Sequence, residues 1–362
     1  MAATEPRSRW SARDWAQAVA PFRRASAARG ILELAVTFPP FVAIWTAMMI
    51  AARHGQFWLS FALAPLAAGL LIRLFLIQHD CGHGSFFPSK LANDWVGRVI
   101  GVLTMTPYDY WRRCHAIHHA TSGNLDRRGI GDIKTLTVRE YFALNWLGRL
   151  NYRLYRHPLV MFGLGPAYVF LLENRLPGGF TRHGAMPWLS TMTTNAGILL
   201  AAGLLMLCVG FTTLLIVHLP IVMLAATMGV WLFYVQHQFE ATTWHEATDW
   251  RQAEAALHGS SHYDLPLVLR WFSANIGVHH VHHLSSGVPF YRLPEVLRTY
   301  PELREVGRLT LRRSLACVRL ALWDEETRRL LSFREARAAH ADRSSRNSAR
   351  PAANGPSIAA LG

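Results

Sequence analysis

FWLSFALAPLAAGLLIRLFLIQHDCGH, residues 57–83, is the stretch on which the reading of this chain turns. Residues 57–77 form an apolar run long enough to cross the roughly 30 Å hydrocarbon core of a bilayer as a helix. The run ends in Gln78-His79-Asp80-Cys81-Gly82-His83. If the helix continues past the membrane, His79 and His83 stand four residues apart on one face. A membrane helix that delivers two imidazoles to the bilayer surface is therefore the first expected element.

Working outward, a second apolar run precedes it at residues 31–52, interrupted by Pro39 and Pro40. The polar turn Arg53-His54-Gly55-Gln56 joins the two into a helical hairpin. Residues 188–209 and 211–235 repeat the arrangement around Gly210. The weaker apolar patches 96–105 and 159–172 are short or broken by Gly and Pro, and suit interfacial or re-entrant helices. Four spans put both termini and the middle section on one side. The Arg-rich segments all fall there, which the positive-inside rule makes cytoplasmic. The expected fold is an all-α multi-pass membrane protein, with two hairpins under a cytoplasmic helical cap. Its parts are a basic N-terminal segment, 1–30, a membrane domain, 31–300, a helical C-terminal segment, 301–342, and a disordered tail, 343–362. The N-terminal segment holds Arg7, Arg9 and Arg13 but no short apolar core with a cleavage site, so no signal peptide is expected.

Composition agrees. Of 362 residues, 51% are hydrophobic and 17% charged, below the quarter or so usual in soluble domains. The four cysteines, Cys81, Cys114, Cys208 and Cys317, form no CxxC pair and no disulfide framework. The net charge of +14 comes almost wholly from Arg. No compact basic-aromatic module accompanies it, so anionic lipid or an acidic protein fits better than nucleic acid.

The 18 histidines are the unusual feature. Ten fall in four clusters: His79 and His83; His115, His118 and His119; His237; and His279, His280, His282 and His283. Each lies just beyond, or between, spans on the same membrane face. A lone HxxxH is commonly surface or capping histidine, but this conjunction is not. Imidazole binds first-row metals, and nine or ten are too many for one structural zinc, which closes at four ligands. They suit two metals with positions left open for a small ligand. Asp80 and Asn275 are placed to orient or supplement the ligands, or else to cap a helix and to pack. The spacing of His115, His118 and His119, laid on the third box, selects His279, His282 and His283. On a helix these three span roughly 100° of arc, and His280 falls about 60° beyond their edge. His280 is therefore expected behind the ligands or facing solvent.

The boxes HDCGH, HAIHH and HHVHH, in this order between these apolar runs, resemble the membrane-bound fatty acid desaturases. The likeness extends to HDCGHGSFF (79–87), GVLTMTPYDYWR (101–112), HHATSGNLDRRGIGD (118–132), VQHQFE (235–240) and NIGVHHVHHLSSGVPFYRL (275–293), words similar to bacterial acyl-lipid omega-6, or delta-12, desaturases. It covers roughly residues 20–300. The resemblance implies a non-haem di-iron centre, O2 as oxidant and insertion of a cis double bond into a lipid-linked acyl chain. Carried over, the iron ligands are His79, His83, His115, His118, His119, His237, His279, His282 and His283, with Asn275 as an addition through water. Leu176-Pro177-Gly178-Gly179 lacks the preceding His of a haem motif, and no four-cysteine iron–sulfur spacing is present. Electrons are then expected from a separate small acidic carrier, a ferredoxin, docking on a face with Arg112, Arg113, Arg127 and Arg128. A bacterial inner membrane is the expected location. Alternatives on the same scaffold are an acyl hydroxylase or a carotenoid hydroxylase or ketolase. A non-catalytic metal-binding or transport protein is the remote one, because transporters hold ligands at mid-span, where only His218 lies here.

Overall fold

The structure, a computed structural model, describes residues 10–348. Arg7, Arg9 and the tail beyond Ser348 lie outside the described residues. The described residues are mostly helical, and among them four segments are long and apolar enough to cross a membrane: Ala27–Arg53, Phe57–Gly82, Ala185–Val209 and Phe211–His237.

A short helix, α1 (Ala12–Val19), precedes the first span. That span is two helices, α2 (Ala27–Ala35) and α3 (Phe38–Arg53). Pro39 and Pro40 sit in the first turn of α3, where the missing N–H groups cost nothing, so the chain breaks just before them at Val36-Thr37. The second span, α4 (Phe57–Gly82), is the buried axis, packed between α3, α5 (Lys90–Leu103) and α11 (Phe211–His237). Within its most apolar window 67% of residues are buried, against 6% for α10 (Ala185–Val209), whose Leu199, Leu200, Leu204 and Leu207 face outward. Small residues permit the close packing. An added Cβ at Gly69 would lie 2.8 Å from the Phe272 ring, and one at Gly97 would lie 2.3 Å from the Tyr108 ring.

The apolar average over α4 conceals one charge. Arg73 is buried, donates to the Glu33 carboxylate and the Trp271 carbonyl, and reaches Thr37 Oγ1 at 3.1 Å. Its guanidinium lies 4.1 Å from the Trp271 ring centroid. Every nitrogen of the guanidinium is thus satisfied, the condition for a charge to persist inside apolar surroundings.

The cap is built from α6 (Tyr108–Thr121), α7 (Val138–Ala143), α8 (Trp146–Tyr155), α9 (Gly165–Leu171) and the segments after α11. Those are α12 (Gln252–His258), α13 (Leu267–Phe272), α14 (His279–Leu284), α15 (Leu293–Thr299), α16 (Leu311–Cys317) and α17 (Phe333–Ser348). The cap is helical in the main, as expected, and one correction adds two small sheets to it. β1 (Leu136–Thr137) runs parallel to β4 (Leu322–Asp324), which pairs antiparallel with β5 (Arg329–Leu331). β2 (His262–Asp264) runs parallel to β3 (Arg308–Thr310). Strands of two or three residues leave no period-2 pattern to read; they serve to pin distant segments together. A second correction concerns residues 343–348, expected to open a disordered tail. They finish α17, where Arg343 meets the buried Asp324 carboxylate at 2.6 Å.

Candidate metal centre

Four helix segments carry the histidines to one place. The C-terminal ends of α4 and α11 bring His79 and His237, His83 follows immediately after α4, and α6 and α14 supply the rest. The nine expected ligands come together as two groups: His79, His83, His115, His119 and His282, then His118, His237, His279 and His283. Within each group the candidate donor nitrogens all lie within 4.8 Å of one another.

Helical geometry explains the division. Residues at i and i+4 differ by about 40° around the axis, whereas i+3 lies about 100° from i+4. Each i, i+4 pair therefore serves one group: His79 with His83, His115 with His119, His279 with His283. The i+3 member of each triad, His118 or His282, crosses to the other. The two boxes with HxxHH spacing thus contribute two and one, then one and two.

The nitrogens are spaced for a cation. His83 and His115 Nε2 are 3.0 Å apart, and His115–His119 and His119–His282 are 3.1 Å apart. In the second group His118–His237 and His237–His279 are each 3.1 Å. Neighbouring corners of a polyhedron with metal–imidazole bonds of about 2.0–2.1 Å, the zinc value, lie about 3.0–3.4 Å apart. Burial, reinforced by neighbouring imidazoles, holds His83, His115, His119, His279, His282 and His283 well below the ordinary histidine range. They are neutral and their lone pairs are free for a metal.

The surroundings orient the rings. His118 Nδ1 lies 2.7 Å from Asp132 Oδ1, His79 Nδ1 3.1 Å from Asp80 Oδ1, and His237 Nδ1 3.4 Å from the Gly259 carbonyl. Such contacts fix tautomer and ring angle at metal-binding histidines. Asp80 Oδ2 also accepts the Phe290 N–H at 2.6 Å. Asn275 stands in neither group. At φ +55°, it donates from Nδ2 to the Phe290 carbonyl at 3.3 Å, and so holds the residue that holds Asp80. His280 turns away from the other three, its Nε2 2.8 Å from the Leu303 carbonyl. It is fully buried rather than solvent-facing, and burial pushes its pKa down to about 3.

Residues 56–313, which include all nine histidines, match the family model described as fatty acid desaturase. The chain belongs to the fatty acid desaturase family. It is 43% identical over 318 residues to a fatty acid desaturase of Bacillus subtilis, covering 87% of this chain and 89% of that one. It is 29% identical over 255 residues to an sn-1 acyl-lipid omega-3 desaturase (ferredoxin) of Synechocystis, covering 67% of each. An sn-1 oleoyl-lipid 12-desaturase from the same organism is 27% identical over 228 residues, 60% of this chain and 62% of that one. The protein is thus a desaturase, an oxidoreductase, with four membrane-type helices and two histidine groups able to bind metal.

Two features of this desaturase have residues that no local pattern in the sequence marks. Nothing in the spacing of Asp132 reveals a loop folding back onto His118. The second is an apolar slot between α4, α5, α9 and α11, lined by Leu71, Ile72, Phe75, Leu103, Phe170 and Ala226. Phe75 packs edge-on to Trp111 at 5.5 Å, and Trp111 stacks on His115 at 4.7 Å. An aromatic pair thereby stands between the slot and the first histidine group.

Proposed function

We propose that this protein is an O2-dependent acyl-lipid desaturase that holds two iron ions, one in each histidine group, and inserts a cis double bond. The reaction balances as –CH2–CH2– plus O2, two electrons and two protons giving –CH=CH– and two waters. The observation that carries the reading is the convergence of nine imidazoles at the ends of apolar spans. Five donors in one group exceed the four of a structural zinc site and suit iron better.

Bound iron supplies the activation of O2 needed to take hydrogen from an unactivated chain, which no side chain can do. The protein's own residues do the rest. His79, His83, His115, His119 and His282 hold one ion, and His118, His237, His279 and His283 the other. Asp80, Asp132 and the Gly259 carbonyl orient His79, His118 and His237. The slot beside Phe75, a cavity of only about 20 Å³, offers an apolar wall against which methylenes of the acyl chain pack. Trp111 and Phe75 turn the chain toward His115 and keep bulk water out.

The relatives named for acyl-lipid substrates and ferredoxin support a membrane lipid as substrate and a ferredoxin as electron donor. The excess of Arg on the face bearing the histidines supports a bacterial inner membrane, with that face and both termini cytoplasmic. The test is expression in a host that lacks polyunsaturated lipids, followed by location of any new double bond. A new cis bond in lipid-linked chains is expected, and a hydroxylated product or none would reject the reading.

A further inference from the structure

Arginines on the cytoplasmic face are not equally free. Arg112 is paired with Asp94 at 2.8 Å. Arg128 is bound to Glu140 at 2.6 Å and to the carbonyls of Leu125 and Thr135, each at 2.5 Å. Those last two bonds draw together the ends of one loop, residues 125–135. Arg127 and Lys134 flank the closure, both are exposed, and among the described residues neither meets a carboxylate. Ile133 of the loop packs in the same apolar cluster as Leu320, beside the exposed Arg319, which meets no carboxylate among the described residues. The nearby Asp126 is turned onto the Ala247 N–H at 2.7 Å.

The same loop touches the metal centre. Asp132 holds His118 at 2.7 Å. Gly131, at φ +69°, lies so close that an added Cβ would sit 3.2 Å from the His118 Cβ. A protein resting on the loop is therefore separated from a candidate iron ligand by little more than the loop backbone.

We propose that the 125–135 loop, with Arg127, Lys134 and Arg319, is the docking surface for a small acidic iron–sulfur carrier that delivers electrons through this side of the site. The inference rests on the desaturase reading above and adds to it the place of entry. Each turnover takes two electrons, so two reduced one-electron carriers dock in succession and leave oxidised, while O2 becomes water. Charge complementarity selects the occupant: unpaired cations around an exposed Ile130 suit a protein with a carboxylate patch.

The test uses the full chain in lipid nanodiscs, with reduced plant-type [2Fe–2S] ferredoxin as the probe. The Arg127→Glu/Lys134→Glu double variant is expected to raise the KM for ferredoxin tenfold or more. Its kcat at saturating ferredoxin and its iron content should stay within twofold of wild type, and the salt dependence of KM should flatten. Arg298→Glu, an exposed charge reversal on α15, should leave KM unchanged. An unaltered KM in the double variant overturns the docking surface, and so does an equal rise in Arg298→Glu. Reduction with dithionite, removal of the excess and then admission of O2 for a single turnover separates the two levels. Product formed with dithionite but not with ferredoxin rejects the partner class alone, whereas no product with either rejects the desaturase reading.

Discussion

His118 and Asp132 meet at 2.7 Å, Nδ1 to Oδ1, and both are buried at the side-chain level. His118 is the member of its box that crosses to the second histidine group, so this contact orients a histidine of that group alone. Asp132→Ala should therefore weaken one iron and spare the other. A loss of about 10–100-fold in affinity at a single site is expected, the usual effect of removing such a partner. Iron titration against a competing chelator checks it, and equal weakening of both ions would be inconsistent with the division into groups.

His280 and His279 are adjacent in sequence but meet different partners, the Leu303 carbonyl and His237. His280→Ala should keep two irons and measurable desaturation, because its Nε2 serves the Leu303 carbonyl. The orphaned carbonyl should still lower stability by about 1–3 kcal/mol. His279→Ala should lose metal from the second group. Metal analysis beside a thermal melt separates the two effects.

How much of this was legible in the sequence follows from what each signal measures. Apolar run length located the spans, and box spacing located the histidines that converge, because both are local to one helix. The partition into two groups was implicit in the 100° step, yet needed the facing helices to become visible. Asp132 and Phe290 reach His118 and Asp80 across 14 and 210 residues, and no local pattern records such contacts. Arg73 vanished into the apolar average of α4, and its partner Glu33 into that of the preceding span.

Arg73 and Glu33 supply a stability prediction. Removing one partner leaves the other charge buried, which usually costs about 3–5 kcal/mol. Glu33→Ala or Arg73→Ala should thus lower the melting temperature in detergent sharply. The exposed pair Arg346–Asp342, broken by Asp342→Ala, should shift it hardly at all.

The slot offers a test of substrate placement that leaves the metal ligands alone. Ala226 lines it and is nearly fully buried. Ala226→Phe should fill the space, abolish or shorten the accepted acyl chain, and leave two irons bound. Product chain lengths by gas chromatography, with parallel iron analysis, decide the point. Unchanged products in a protein that still folds would move the chain elsewhere.

The central claim is that two irons, one in each histidine group, drive the desaturation. Metal counting on purified, active protein tests it most directly, with His282→Ala and His237→Ala as probes of the two groups. The account predicts two irons per chain in the wild type, with loss of activity and of at least one iron in each variant. One metal per chain, or zinc with activity retained, would contradict it.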